Sequence, residues 1–162
     1  MSGNNPLKSK VVFMCGAAGS GKTTYAKILE QQGYTRLSFD EESFKRGYKL
    51  HPLPKVIYDE IKKTLDKELH ELIVQNRNIV LDYSFWSRQM RDEYKDKLIP
   101  FGIKPEIILM ITPKEIVLQR IKTRKGTHEN DIILDAQIAM HYYEHFQKPT
   151  ADEGDITVVK GY

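Results

Sequence analysis

The run Gly16-Ala17-Ala18-Gly19-Ser20-Gly21-Lys22-Thr23 has the spacing G-x-x-x-x-G-K-S/T, in which several backbone N–H groups turn inward on one polyphosphate. That turn needs backbone angles and a close approach that glycine permits, and Gly16, Gly19 and Gly21 supply them. Lys22 would set an ammonium between the outer phosphates, and Thr23 would offer a hydroxyl to Mg²⁺. With Thr24 in the same first turn, the helix that starts here would direct its positive end at the anion. Residues 16 to 24 therefore read as the holder of a nucleoside triphosphate; ATP is the expected phosphate donor, with GTP left open by these residues.

Two acids follow. Asp40 closes the apolar run Arg36-Leu37-Ser38-Phe39, and Asp82 closes Ile79-Val80-Leu81. Phosphoryl transfer to a hydroxyl needs a metal across the phosphates, an acceptor of the hydroxyl proton, and positive charge on the transferring group. Asp82 is assigned to the Mg²⁺ shell through water, and Asp40 to the acceptor hydroxyl as base or orienter. The plainer roles are a helix cap for Asp40 and a turn acid for Asp82.

Arg120, Lys122, Arg124 and Lys125 form the densest basic cluster of the chain. Read plainly, it is a solvated helix end whose cations suit the dipole. Read functionally, it is a lid near 120–130 whose Arg120 and Arg124, one helical turn apart, bring charge to the transition state. Arg88 and Arg91 stand as candidate contacts to the acceptor, in balance with pairing to Asp92 and Glu93 on a wet helix face. Trp86 would be core or a wall of the acceptor pocket.

The elements that must position these groups follow from periodicity. The apolar Val11–Cys15 predicts a strand, Lys22–Gln32 a helix stopped by Gly33, and Arg36–Phe39 the next strand. Strand, helix and strand at this length imply a right-handed crossover and parallel strands, so both aspartates reach the sheet edge from which the glycine loop emerges. Glu41–Pro54 reads as a loop with room for a short helix. Helices are expected over Pro54–Gln75 and Trp86–Ile99, and a two-sided central strand over Glu106–Ile111. Thr112-Pro113-Lys114-Glu115 spells a capping box at the start of a helix through Ile121. A last helix over Asp131–Gln147 and a strand over Asp155–Val159 complete the series. The expected fold class is α/β, a three-layer α/β/α sandwich on a five-stranded parallel sheet. Residues 1–10 would be a flexible N-terminal tail, and residues 11–162 one domain.

Composition fits that reading. The 162 residues are 40% hydrophobic and 29% charged, with a formal charge of +3, which by itself does not argue for nucleic acid. The single cysteine, Cys15, can form no internal disulfide and points to a reducing, cytoplasmic setting, as a buried core residue rather than a reactive thiol. No run approaches the ~20 apolar residues of a membrane span, so no membrane partner is expected.

The order of these parts resembles the small P-loop kinases that include zeta toxins, chloramphenicol phosphotransferase, gluconate kinase and the 5′-kinase domain of phage polynucleotide kinase. Likeness to this group, within the P-loop nucleoside triphosphate hydrolase fold, covers nearly the whole chain, though only the glycine loop is specific as a motif. It implies that Ser38-Phe39-Asp40 holds the group acting on the acceptor hydroxyl, and that Arg120 and Arg124 fall where lid arginines stand. It names no acceptor. A basic groove of Lys45, Arg46, Lys49, Arg88 and Arg91 would suit a polynucleotide 5′-hydroxyl. Phe44, Tyr48 and Trp86 would serve a small-molecule pocket equally, and a small molecule or nucleotide ranks first. A regulatory GTPase is excluded by the missing glycine in Asp82-Tyr83-Ser84-Phe85 and the lack of any Asn-Lys-x-Asp. A nucleotide-binding ATPase module without a hydroxyl acceptor remains the other alternative.

Overall fold

Strand β1 (Val11–Cys15) is the middle of a five-stranded, wholly parallel sheet. The other members are β2 (Thr35–Ser38), β4 (Ile79–Ser84), β5 (Glu106–Ile111) and β7 (Ile156–Lys160), in the order β2-β4-β1-β5-β7. The computed structural model describes residues 8–161. Residues 1–7 of the expected N-terminal tail lie outside the described residues. Of the remainder, Ser9 is buried, and the Lys10 N–H donates to Asn78 Oδ1 at 3.0 Å.

The layering follows from the two-residue period of a strand. Val11, Phe13 and Cys15 face one core, whereas Val12 and Met14 face the other. The first core is closed by α3 (Lys55–Val74), which turns Ile61, Leu65, Leu69 and Ile73 inward at helical spacing, and by Tyr94 and Leu98 of α4 (Arg88–Leu98). The second is closed by Ala26 and Leu29 of α1 (Lys22–Gln31). Both faces of the sheet are covered, which is why its central strands read as unbroken apolar runs. Cys15 lies wholly in the first core, and burial pushes its thiol up to about 12, so it is inert.

Four local expectations need correction. Phe39 ends no strand: Ser38 caps the short helix α2 (Phe39–Lys45) by accepting the Glu41 N–H at 3.2 Å. Asp40 is therefore in the first turn of that helix, one residue past its start. Strand β4 runs on through Asp82, which lies opposite Ser38 in the ladder. The predicted capping box does not form at α5 (Lys114–Lys122), because the Thr112 hydroxyl is spent on the Ser20 carbonyl at 2.7 Å. A capping box does form at Thr150–Glu153. The final helix starts later, at α6 (Ala136–Glu144), capped by Asp135.

What precedes α6 is a short strand, β6 (Ile133–Leu134), paired in parallel with β3 (Leu50–His51). This two-stranded ribbon ties the segment after α5 to the segment after α2. Leu50 faces Ile133 and His51 faces Leu134, and the Ile133 N–H donates to the Lys49 carbonyl at 2.8 Å.

Candidate active site

The glycine loop leaves β1 at the carboxyl end of the sheet, between β4 and β5, the crevice where open α/β sheets hold ligands. Gly19 and Gly21 have φ of 80° and 95°, left-handed values that a side chain would strain, and Gly21 is the residue that caps α1. Its shape is fixed from several sides. The Gly16 N–H donates to the Ser84 carbonyl at 3.0 Å and the Ser84 hydroxyl to the Gly16 carbonyl at 2.8 Å. Thr112, just past the end of β5, donates to the Ser20 carbonyl, and the Arg120 guanidinium donates to the Gly19 carbonyl at 2.9 Å. Within this frame the N–H groups of Ala18, Gly19 and Gly21 have no acceptor among the described residues. They are donors available to a phosphate.

Lys22 and Thr23 follow in the first turn. Lys22 Nζ is 3.7 Å from Asp82 Oδ1, and the Thr23 hydroxyl donates to Asp82 Oδ2 at 2.8 Å. Asp82 is buried, and its Oδ1 accepts no hydrogen bond. A buried carboxylate oxygen left over beside a threonine hydroxyl and an ammonium fits a hydrated Mg²⁺ held mainly by phosphates. Among the described residues no group of three or more His, Cys, Asp or Glu side chains forms an all-protein metal cage.

Arg36, which sequence reasoning did not single out, is the hub of this charge cluster. Its guanidinium reaches Glu30 at 2.7 Å, Glu41 at 3.1 Å, Glu129 at 3.0 Å and Asp82 at 3.4 Å. Burial opposes its charge, but the hydrogen bond to Glu30 and the fields of Asp82 and Glu41 outweigh that and hold it more firmly protonated than usual. Glu129 belongs to the stretch after α5, so Arg36 also moors that stretch to the sheet.

Two cavities open from this edge. The larger, about 690 Å³, takes in Gly19, Lys22, Thr23, Thr24, Arg120 and Arg124. The second, about 350 Å³, lies beyond Asp40 and is walled by rings, among them Phe39, Tyr58, Trp86 and Tyr142. Lys22 and Asp40 line both.

Asp40 has one neighbour delivered by the β3–β6 ribbon, His51, and a second, Arg124, from the stretch that leads into β6. His51 Nδ1 is 3.7 Å from Asp40 Oδ1, while His51 Nε2 is 3.1 Å from the Ser43 hydroxyl, which itself donates to the Asp40 carbonyl at 3.0 Å. Burial lowers the pKa of His51, opposed by Asp40 and assisted by Arg124 and Lys22. Arg124 donates to the Ile132 carbonyl at 3.2 Å, and burial lowers its pKa too, against the pull of Asp40 and Asp131. His51 carried no sequence signal, lying in a stretch without period. Its pairing with Leu134 and its contact with Ser43 bring it to Asp40.

The structure thus brings Lys22, Thr23, Asp40, Asp82, Arg120 and Arg124 to one edge, with Gly16 through Thr24 around them. It does not bring Arg88 and Arg91 there. Arg91 is fully buried, bonded to Glu153 at 2.7 Å and to the Phe85 carbonyl at 2.8 Å. Arg88 pairs with Asp92 and Asp152, each at 3.0 Å. Neither lines the cavity beyond Asp40. Arg91 instead braces the turn Ser84-Phe85, whose φ values of 69° and 51° are unusual for residues with side chains. That turn aims Trp86.

The AAA domain family matches residues 11–149. The chain belongs to this AAA domain family. Solved structures with the same fold include a Chloroflexus aurantiacus protein provisionally named a kinase, with a TM-score of 0.76 at 15% identity over 95% of this chain and 89% of that one. A Janibacter sugar kinase gives 0.64 at 18% identity over 94% and 85%. The Mycobacterium tuberculosis APS kinase, in complex with AMPPNP and APS, gives 0.62 at 16% identity over 96% and 90%. No curated protein matches the chain. At these identities the likeness carries the fold, that of small P-loop kinases. Among the described residues no helix is long and apolar enough to cross a membrane.

Proposed function

We propose that the chain is a kinase that transfers the γ-phosphate of ATP to a hydroxyl of a small molecule or nucleotide in the presence of Mg²⁺. The observation that carries this reading is the meeting of two cavities at Lys22 and Asp40, one lined by phosphate-binding groups and one by rings. A hydrolase acting on water has no need of the second.

In this reading the loop amides and Lys22 cradle the phosphates, and Arg120 and Arg124 supply charge from the lid. The acceptor oxygen forms a bond to the γ-phosphorus as the bond to the ADP oxygen breaks, and the hydroxyl proton passes to the Asp40 carboxylate. His51 positions Asp40. Mg²⁺, when held by the phosphates, the Thr23 hydroxyl and, through water, Asp82, supplies neutralisation of the developing charge. AMPPNP in the APS kinase structure supports a nucleotide in the larger cavity.

A polynucleotide acceptor finds less support. Arg46 pairs with Glu42 at 3.2 Å and Lys45 with Glu41 at 3.6 Å, and Arg88 and Arg91 are engaged as described. The test is a screen of neutral alcohols, nucleosides, sugar acids and 5′-hydroxyl oligonucleotides for labelled γ-phosphate. Transfer to one class with wild type and none with Lys22→Ala supports the reading. ATP hydrolysis indifferent to every acceptor would count against it.

A further inference from the structure

The cavity beyond Asp40 has a composition that selects among acceptors. Phe39 stacks on Tyr58 with ring centres 5.1 Å apart and meets Tyr83 edge-on at 4.8 Å. Trp86 meets Tyr142 edge-on at 5.0 Å, and Phe146 completes the lining. Among the described residues, the only Lys, Arg, Asp or Glu side chains lining it are Lys22, Asp40 and Asp82, all of them assigned above to the phosphate side or the hydroxyl. His51, the remaining titratable group with an ordinary pKa near neutrality, is biased by burial to its neutral form. A carboxylate or sulfate in this cavity would face two aspartates with no cation of its own. Sugar-acid and phosphate acceptors ordinarily meet arginine forks, since a fork answers an anion bidentately. Here Arg88 and Arg91 are spent on Glu153, Asp92 and Asp152, and Arg124, whose field reaches Asp40 and His51, lines the phosphate-side cavity and is bonded to the Ile132 carbonyl.

We infer that the acceptor is an uncharged hydroxyl compound carrying an aromatic ring or a flat apolar body, seated among the Phe39, Tyr58, Trp86 and Tyr142 rings with its hydroxyl toward Asp40. This rests on the kinase reading and narrows its substrate class. A cavity of about 350 Å³ takes a molecule of nucleoside or aryl-glycoside size. Ring-on-ring contact supplies the affinity, and the missing cation supplies the discrimination against anions.

Binding can be read without phosphate transfer, because Trp86 is the sole tryptophan of the chain. Its fluorescence is titrated, without nucleotide, with phenyl β-glucoside, phenyl β-glucuronide and methyl β-glucoside, which differ by one carboxylate or one ring. The phenyl glucoside should bind about tenfold or more tightly than either of the others, a difference of one ring contact or one uncompensated charge. Tyr142→Ala, at a partly exposed position, should weaken it by about tenfold while Tyr142→Phe retains it. Equal or tighter binding of the glucuronide, indifference to the phenyl ring, or no saturable response to either phenyl glycoside overturns the inference. Retention of ATP binding in the same preparation separates that outcome from failure of the nucleotide site.

Discussion

The cavity at the glycine loop is lined by amides and cations, and the one beyond Asp40 by rings, yet they share two side chains. On the loop side the charged groups come from one contiguous segment, α5 and the stretch just after it, and each cation is pinned by a carbonyl or carboxylate: Arg120 on Gly19, Arg124 on Ile132 and Lys22, like the Thr23 hydroxyl, on Asp82. On the ring side the groups come from β4, α2, α3, α6 and the ribbon, and few hydrogen bonds hold them. Charge that must meet a polyphosphate is fixed in advance, which makes it effective when the transition state forms. Rings that must fit an acceptor are held by packing alone, which leaves their identity free to set specificity.

The contrast can be broken at stated points. Lys22→Ala should remove most phosphate transfer, roughly 10³-fold or more, since charge on the transferring group carries most of such catalysis. Asp40→Asn should cost about 10²–10⁴-fold in turnover while ATP affinity, measured by calorimetry, stays near wild type. Arg124→Ala should slow single-turnover transfer by roughly 10²-fold and weaken ATP binding much less. A loss confined to ATP affinity would move Arg124 from the lid to mere binding. Against these, Arg91→Met should act on the fold: leaving Glu153 buried without its partner should cost about 3–5 kcal/mol in urea unfolding. Transfer per folded molecule should change little.

The smallest effect is a pH dependence. His51 has a lowered pKa in the folded chain, so the unfolded chain binds the extra proton and stability falls as pH drops through and below the ordinary histidine range. Thermal midpoints should therefore fall more steeply from about pH 7.5 to about pH 5 in wild type than in His51→Gln. Parallel curves would remove His51 from the titrating groups.

The same contrast governs how much could be read from the sequence. The glycine loop, the parallel strands and the two acids at the loop edge were legible because each depends on contiguous residues or a short period. Arg36 and His51 were not: one is defined by four acids, of which Asp82 and Glu129 are distant in sequence, the other by a two-residue ladder between segments without pattern. Thr112 shows local spelling overruled by tertiary contact, its hydroxyl bonded to the loop rather than to its own helix. Arg91 shows the converse, a charge in a strongly polar helix that is buried because Glu153, 62 residues on, comes to meet it.

The most direct test of the account is a paired measurement on wild type and Asp40→Asn: nucleotide affinity by calorimetry and transfer of label from ATP to an uncharged aryl alcohol. The account predicts equal affinities and a labelled phosphate ester formed by wild type only. Equal transfer by both proteins, or label appearing solely as inorganic phosphate at equal rates, would contradict it.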